Sequence, residues 1–227
     1  MKIVILAAGI GSRLGNPFPK PLTPLKSGGT ILKQQIDNLS CYFNFDDINI
    51  VVGFKKDLIM ESVPDATYIY NPIFDRTNTS KSLLKGLKKY HSEPVLWLNG
   101  DVVFEKEVFD LLTPHINKNE SFVSVNNEEV GDEEVKYTLD SDGHINQISK
   151  TVNNGLGEAV GINFISSKDI SFFIKRLEEC DQNDYFEKGI EMAIQKDQIK
   201  VDAIDISKYK CMEVDFIEDL ENVNRMF

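Results

Sequence analysis

Short apolar runs alternate with helix-period stretches through the first hundred residues of this 227-residue chain. That rhythm restricts the fold more than any other feature. Lys2–Leu6 is a bounded, β-branched run of the kind buried on both faces of a parallel sheet. Residues 30–43 then place Ile31, Leu32, Gln35, Ile36, Leu39 and Phe43 at helical spacing, with Thr30 as candidate N-cap. Residues 48–53 read as a strand, 55–61 as a short helix and 67–70 as a strand. Residues 79–90 carry Leu83, Leu84 and Leu87 on one helical face, and 94–98 form a further strand ending at Asn99-Gly100-Asp101. Strand and helix in strict alternation specify an α/β fold: a doubly wound, mixed but mainly parallel sheet.

The second half is less regular. Residues 122–125, 135–139, 144–149, 159–165 and 200–204 read as strands. Residues 169–179, 185–195 and 216–225 read as helices, the last with Asp215 as candidate N-cap. The acidic stretch from Glu128 to Glu134 reads as a solvated loop. With no repeat, low-complexity tract or linker, the expectation is one domain over residues 1–227, in which 116–227 form a smaller β-rich portion.

Charge narrows the function classes. Lys and Arg number 25 against 36 Asp and Glu, a net charge of −11. Phosphate-backbone affinity needs massed cations, so a general nucleic-acid partner is disfavoured, as is an anionic membrane. Small phosphate compounds stay open, because a few placed cations and backbone N–H groups hold them. The three cysteines, Cys41, Cys180 and Cys211, are widely spaced and fit reduced thiols in the cytoplasm. The apolar opening is too short and too soon broken by Gly-Ser-Arg for a secretory leader, and no run approaches a membrane span. Oligomeric state has no signature. His91, His115 and His144 lie in polar or turn contexts with no nucleophile beside them in the sequence.

The sharp pattern follows the first strand: Leu6-Ala7-Ala8-Gly9-Ile10-Gly11-Ser12-Arg13-Leu14, then Pro19-Lys20-Pro21. Small residues let backbone approach a ligand, and successive N–H groups cradle phosphate oxygens. A dinucleotide fingerprint fails because the second strand ends at Gly53-Phe54 without a carboxylate, and no Walker spacing exists. The pattern closely resembles the nucleotidyltransferases that couple an NTP to a sugar phosphate or phospho-alcohol, whose signature has the form L-A-A-G-x-G-S/T-R-L…P-K.

The resemblance implies a Rossmann-like, GT-A-type sheet with a nucleotide-binding half (1–115) and an acceptor-binding half (116–227). It implies Arg13 on the β- and γ-phosphates and Lys20 at the α-phosphate as catalytic groups. The backbone of Leu6, Ala7, Ala8, Gly9, Gly11 and Gly100 would frame the nucleotide. Asp101, at a strand end, and Asp215, before the last helix, would hold Mg²⁺, with Mn²⁺ as a substitute; Asp215 is preferred over Glu213. Two hard oxygen ligands beside phosphate oxygens suit that ion.

The stretch from Asn71-Pro72 through Thr77-Asn78-Thr79-Ser80-Lys81-Ser82-Leu83 resembles the cytidylyltransferases acting on phosphocholine. There Asn78, Ser80 and Ser82 would read base and ribose; Thr79 stands where that branch commonly has a second Asn. By the same resemblance Lys136, Lys150 and Glu158 are acceptor-binding candidates, and Tyr185 and Glu187 join them because aromatics beside carboxylates suit an ammonium group. The chain is equally similar to the CTP:phosphoglutamine cytidylyltransferases of capsular phosphoramidate synthesis. The expected partners are CTP and a small nitrogen-bearing phosphorylated acceptor, with pyrophosphate released. Alternatives are a sugar-1-phosphate nucleotidylyltransferase, a GT-A glycosyltransferase, which has no need of Arg13 and Lys20 on a triphosphate, and a non-catalytic nucleotide-binding module.

Overall fold

A computed structural model describes residues 1–128, 131 and 134–227. Most of the acidic stretch read as a solvated loop, Glu129, Val130, Asp132 and Glu133, lies outside the described residues. The first half builds β1 (Lys2–Ala7), α1 (Ile31–Ser40), β2 (Ile48–Val52), α2 (Lys56–Ser62), β3 (Thr67–Tyr70), α3 (Thr79–Leu87) and β4 (Val95–Asn99). After β5 (Val102–Phe104) and α4 (Val108–Lys118) come β6 (Phe122–Asn126), β7 (Lys136–Leu139), β8 (Ile145–Ser149) and β9 (Glu158–Ile165). The chain closes with α5 (Ile170–Glu179), α6 (Phe186–Asp197), β10 (Asp202–Asp205), β11 (Cys211–Glu213) and α7 (Ile217–Met226).

Among the described residues nine strands form one sheet in the order β10-β6-β9-β4-β1-β2-β3, with β7 attached at β9 and β8 paired to β7. The pairs β1–β2, β1–β4, β2–β3 and β10–β6 are parallel, while β9 runs antiparallel to both β4 and β6. The fold is therefore the mixed, mainly parallel α/β sheet that the alternation specified.

Side-chain alternation along β1 divides the core. Val4 and Leu6 join Leu83 and Leu87 of α3, Phe173 of α5 and Phe186 of α6 on one face. Ile3, Ile5 and Ala7 join Leu32, Ile36 and Leu39 of α1 and Phe109 of α4 on the other. Leu87 is fully buried, and its truncation to Ala would cost about 2–5 kcal/mol. Thr30 caps α1 as its side chain accepts from the Lys33 N–H.

Three features depart from the sequence reading. Helix α4 continues through Pro114, a residue that ordinarily breaks a helix. Strands β5 and β11 form a separate antiparallel ribbon, pairing Val102 with Glu213 and Phe104 with Cys211. The N-cap of α7 is Phe216, not Asp215. The reason is electrostatic: the Asp215 carboxylate turns to Lys20 and Arg13, and Asp219 accepts the backbone N–H of both Asp215 and Phe216 instead.

Candidate active site

The cleft opens where β1 and β4 end, as open α/β sheets dictate. Its cavity is about 330 Å³ and is lined from the glycine loop by Ala8, Gly9, Gly11 and Arg13, with Lys20 beneath. Gly11 sits at φ +63°, and a Cβ there would come within 2.9 Å of the Lys20 Cβ. The loop therefore folds back onto the lysine only with glycine at this position.

Lys20 Nζ donates to Asp101 Oδ2 at 2.9 Å and makes a short contact with Asp215 Oδ1. Arg13 donates to Asp215 Oδ2 at 3.2 Å, its guanidinium 5.6 Å from the Phe216 ring centroid. Burial works against the Lys20 charge, yet the two aspartates outweigh it and raise its pKa. Burial likewise pushes Asp215 upward, but the Lys20 hydrogen bond and the Lys20 and Arg13 charges hold it below the usual carboxylate range.

Two devices bring residues 101 and 215 together. Gln35 of α1 donates to the carbonyls of Asn99 and Val102, both at 2.8 Å, fixing the turn that carries Asp101. The Val214 N–H donates to the Asp101 carbonyl at 3.0 Å, extending the β5–β11 ribbon to the metal-binding candidates. Glu213, beside them, accepts from Asn99 Nδ2 at 2.9 Å. Burial first, then the Asp101 charge, raises the Glu213 carboxyl well above its ordinary value. Gly161, at φ +71°, admits this side chain: a Cβ there would lie 2.5 Å from Glu213 Oε1 and 2.9 Å from Asn99 Nδ2.

At the other side of the cleft Asn78 caps α3, accepting the Thr79 N–H at 2.8 Å. The α6 entrance packs against it: the Asn78 N–H donates to the Gln182 carbonyl, and the Phe186 N–H donates to the Thr79 hydroxyl. Of the base-reading candidates, Asn78 and Ser82 line the cleft, and Ser82 Oγ accepts from Asn71 Nδ2 at 3.0 Å. Ser80 is fully buried, its hydroxyl has no partner among the described residues, and it does not line the cavity.

The acceptor candidates separate. Lys150, Tyr185 and Glu187 line this same cleft, with Lys150 Nζ 5.0 Å from the Tyr185 ring centroid. Phe186 belongs to the core whereas Tyr185 is 41% exposed. Burial pushes the Glu187 carboxyl up to about 7, eased by the Lys150 charge, and its Oε2 has no partner among the described residues. Lys136 stands opposite Glu158 at the β7–β9 pairing, outside the residues lining the cleft. Glu158 lines a second cavity of about 300 Å³ with Glu134, Glu213, Asp215, Phe216 and Asp219. Among the described residues no lysine or arginine lines it. Ala7 lies under the loop, where it lines a third, smaller cavity with Pro21 and Asp101, and Leu6 and Gly100 border both that cavity and the cleft.

Sequence reasoning did not single out Phe74, Thr77 and Asn99 as cleft residues. The first two fall inside the recognised 71–83 stretch, so that motif was the available signal. Asp219 and the second cavity had no sequence signal.

Comparison with known proteins gives the family. Residues 3–169 match the MobA-like NTP transferase domain, and the chain belongs to that family. The CMP-5'-(3-aminopropyl)phosphonate synthase of Streptomyces rubellomurinus is 34% identical over 121 residues, covering 49% of this chain and 19% of that protein. The chain thus spans about a fifth of that relative's length. The CTP:phosphocholine cytidylyltransferase of Streptococcus pneumoniae superposes over 99% of this chain and 98% of its own, with TM-score 0.78 and 18% identity. HddC of Yersinia pseudotuberculosis superposes over 100% and 99%, with TM-score 0.75 and 20% identity. These two share the fold. Among the described residues no helix is long and apolar enough to cross a membrane.

Proposed function

We propose that the chain is a Mg²⁺-dependent cytidylyltransferase acting on CTP and a small phosphoryl acceptor that carries an amine. An acceptor oxygen attacks the α-phosphorus of CTP, the bond to the β-phosphate breaks, and pyrophosphate leaves. The observation that carries this reading is the convergence of Lys20 on Asp101 and Asp215, with Arg13 on the second aspartate.

A lysine ammonium already bridges the two carboxylates, so they lie within reach of one cation, and the donors are the hard oxygens Mg²⁺ takes. Asp101 and Asp215 would hold the ion, which offsets the charge of the departing pyrophosphate. The remaining work falls to side chains. Lys20 neutralises the α-phosphate as a second anion approaches, and Arg13 grips oxygen pairs on the outer phosphates with its planar fork. The glycine loop presents backbone N–H groups to the nucleotide, and Asn78 and Ser82 face the base.

The amine is supported by the second cavity. It shares Asp215 and Glu213 with the cleft and presents carboxylates that a cationic group would balance. The aminopropylphosphonate product named for the Streptomyces relative fits the same charge pattern. The cysteines are all free, which supports work in a reducing cytoplasm.

The test is pyrophosphate release with Mg²⁺, crossing CTP, UTP, GTP, dTTP and ATP against aminoalkyl phosphonates, phosphocholine, phosphoglutamine and glucose 1-phosphate. Release with CTP and an amine-bearing acceptor is expected. Release with UTP or dTTP and the sugar phosphate would overturn both the base and the acceptor assignments.

A further inference from the structure

The opposite end of the sheet carries a second constellation of ligand-bearing side chains. Helix α4 ends at Asn119, whose φ of 57° turns the chain back so that the Glu120 N–H bonds the His115 carbonyl at 3.1 Å. This sets the Glu120 carboxylate against its neighbour: His115 Nδ1 and Glu120 Oε2 are 3.2 Å apart. Strand β10 lies parallel to β6 with Asp202 opposite Phe122, and the Asp202 N–H bonds the Ser121 carbonyl at 2.9 Å. Asp202 thus arrives at the same corner, and one ligand atom from each of His115, Glu120 and Asp202 lies within 4.8 Å of the others. His144 bridges to Asp202 from the β7–β8 hairpin, its Nδ1 at 2.7 Å from Asp202 Oδ1.

We propose that His115, Glu120 and Asp202 bind one divalent transition-metal ion, zinc by donor class, at the amino ends of β6 and β10. An imidazole nitrogen with two carboxylate oxygens is a borderline-soft donor set that suits zinc, cobalt or nickel better than Mg²⁺. Ligand atoms around tetrahedral zinc stand roughly 3.3 Å apart, given bonds of about 2.0–2.1 Å, and the 3.2 Å His115–Glu120 separation already has that length. Charge points the same way. Two neighbouring carboxylates repel, whereas a divalent ion balances both. All three side chains are partly buried, at 26%, 38% and 29% exposure, so an ion reaches them without unfolding. His144 is a positioning residue that holds the Asp202 carboxylate, in the way outer partners orient metal ligands. The ion would pin the edge strand β10 to α4, far from the cleft at the carboxyl ends of β1 and β4.

The test is calorimetric titration of the tag-free protein with Zn²⁺ in a large excess of Mg²⁺, which occupies the hard-oxygen cleft. One equivalent should bind, and Co²⁺ in its place should give d–d absorption bands. Glu120→Gln and His115→Ala should each weaken binding by more than about 100-fold, and His144→Ala by about 10–100-fold, the range for outer partners. Pyrophosphate release should be unchanged in Glu120→Gln, which separates this proposal from the reading of the cleft. Absence of binding, binding unaffected by Glu120→Gln, or binding lost instead in Asp101→Asn would overturn it.

Discussion

The two large cavities share a wall and little else. The cleft sets Arg13, Lys20 and Lys150 around a glycine loop against the carboxylates it shares with its neighbour, Glu134, Glu213 and Asp215, whereas the neighbour adds Glu158 and Asp219 with no cation among the described lining residues. A chain with a net charge of −11 has thus spent scarce cations at one point and left the adjoining space acidic. Local placement of charge, rather than the total, decides what each cavity attracts.

The most severe way to break this contrast is to remove the cation at its centre. Lys20→Ala should lower kcat by about 10²–10³-fold, or about 2.7–4 kcal/mol, the scale for losing one charge-stabilising donor. Thermal melts and pyrophosphate release check it, and near-normal turnover in a folded variant would remove Lys20 from the chemistry.

Glu187 sharpens the contrast, being a carboxyl on the cationic side that burial pushes up to about 7. Between the unfolded value of about 4.3 and 7, the folded chain keeps a proton that the unfolded chain has released. This stabilisation is complete below the lower value, is lost as pH rises, and levels off above the higher one. Glu187→Gln should abolish that slope, so stability measured against pH should separate the two proteins by about 4 kcal/mol across the window. Parallel curves would place the titration elsewhere.

The acidic side predicts a smaller and more selective effect. Glu158→Gln should raise the acceptor KM about tenfold, about 1.4 kcal/mol, with the CTP KM little changed. Equal changes in both would erase the division between the cavities. Least of all, Asn78→Ala should cost about 1 kcal/mol by uncapping α3, read as a lower Tm, and should raise the CTP KM without touching the acceptor's.

The cationic part of the cleft was legible in the sequence because its residues are close along the chain. Gly9, Gly11, Arg13 and Lys20 lie within one loop, and Asp101 follows a strand whose apolar run is plain. Asp215 was found by its position before the last helix, but its expected capping role was not, since nothing local shows that Lys20 will claim the carboxylate. The β5–β11 ribbon escaped notice because three-residue strands carry no measurable period, and α4 because Pro114 reads as a breaker. The acidic cavity draws Glu134, Glu158, Glu213 and Asp219 from four separate elements. Each alone reads as an ordinary surface acid, and tertiary folding rather than local sequence makes them neighbours, the ribbon that bonds Val214 to Asp101 bringing in Glu213.

Asp215 is part of both cavities, so the two compartments cannot fill independently. Whatever an occupant on one side does to the charge balance of this carboxylate is felt by an occupant on the other. Thermodynamic linkage makes that influence mutual and equal: the factor by which nucleotide alters acceptor affinity is the factor by which acceptor alters nucleotide affinity. The carboxylates shared by the two spaces, Asp215 with Glu134 and Glu213, thereby make each guest's hold depend on whether the other is present.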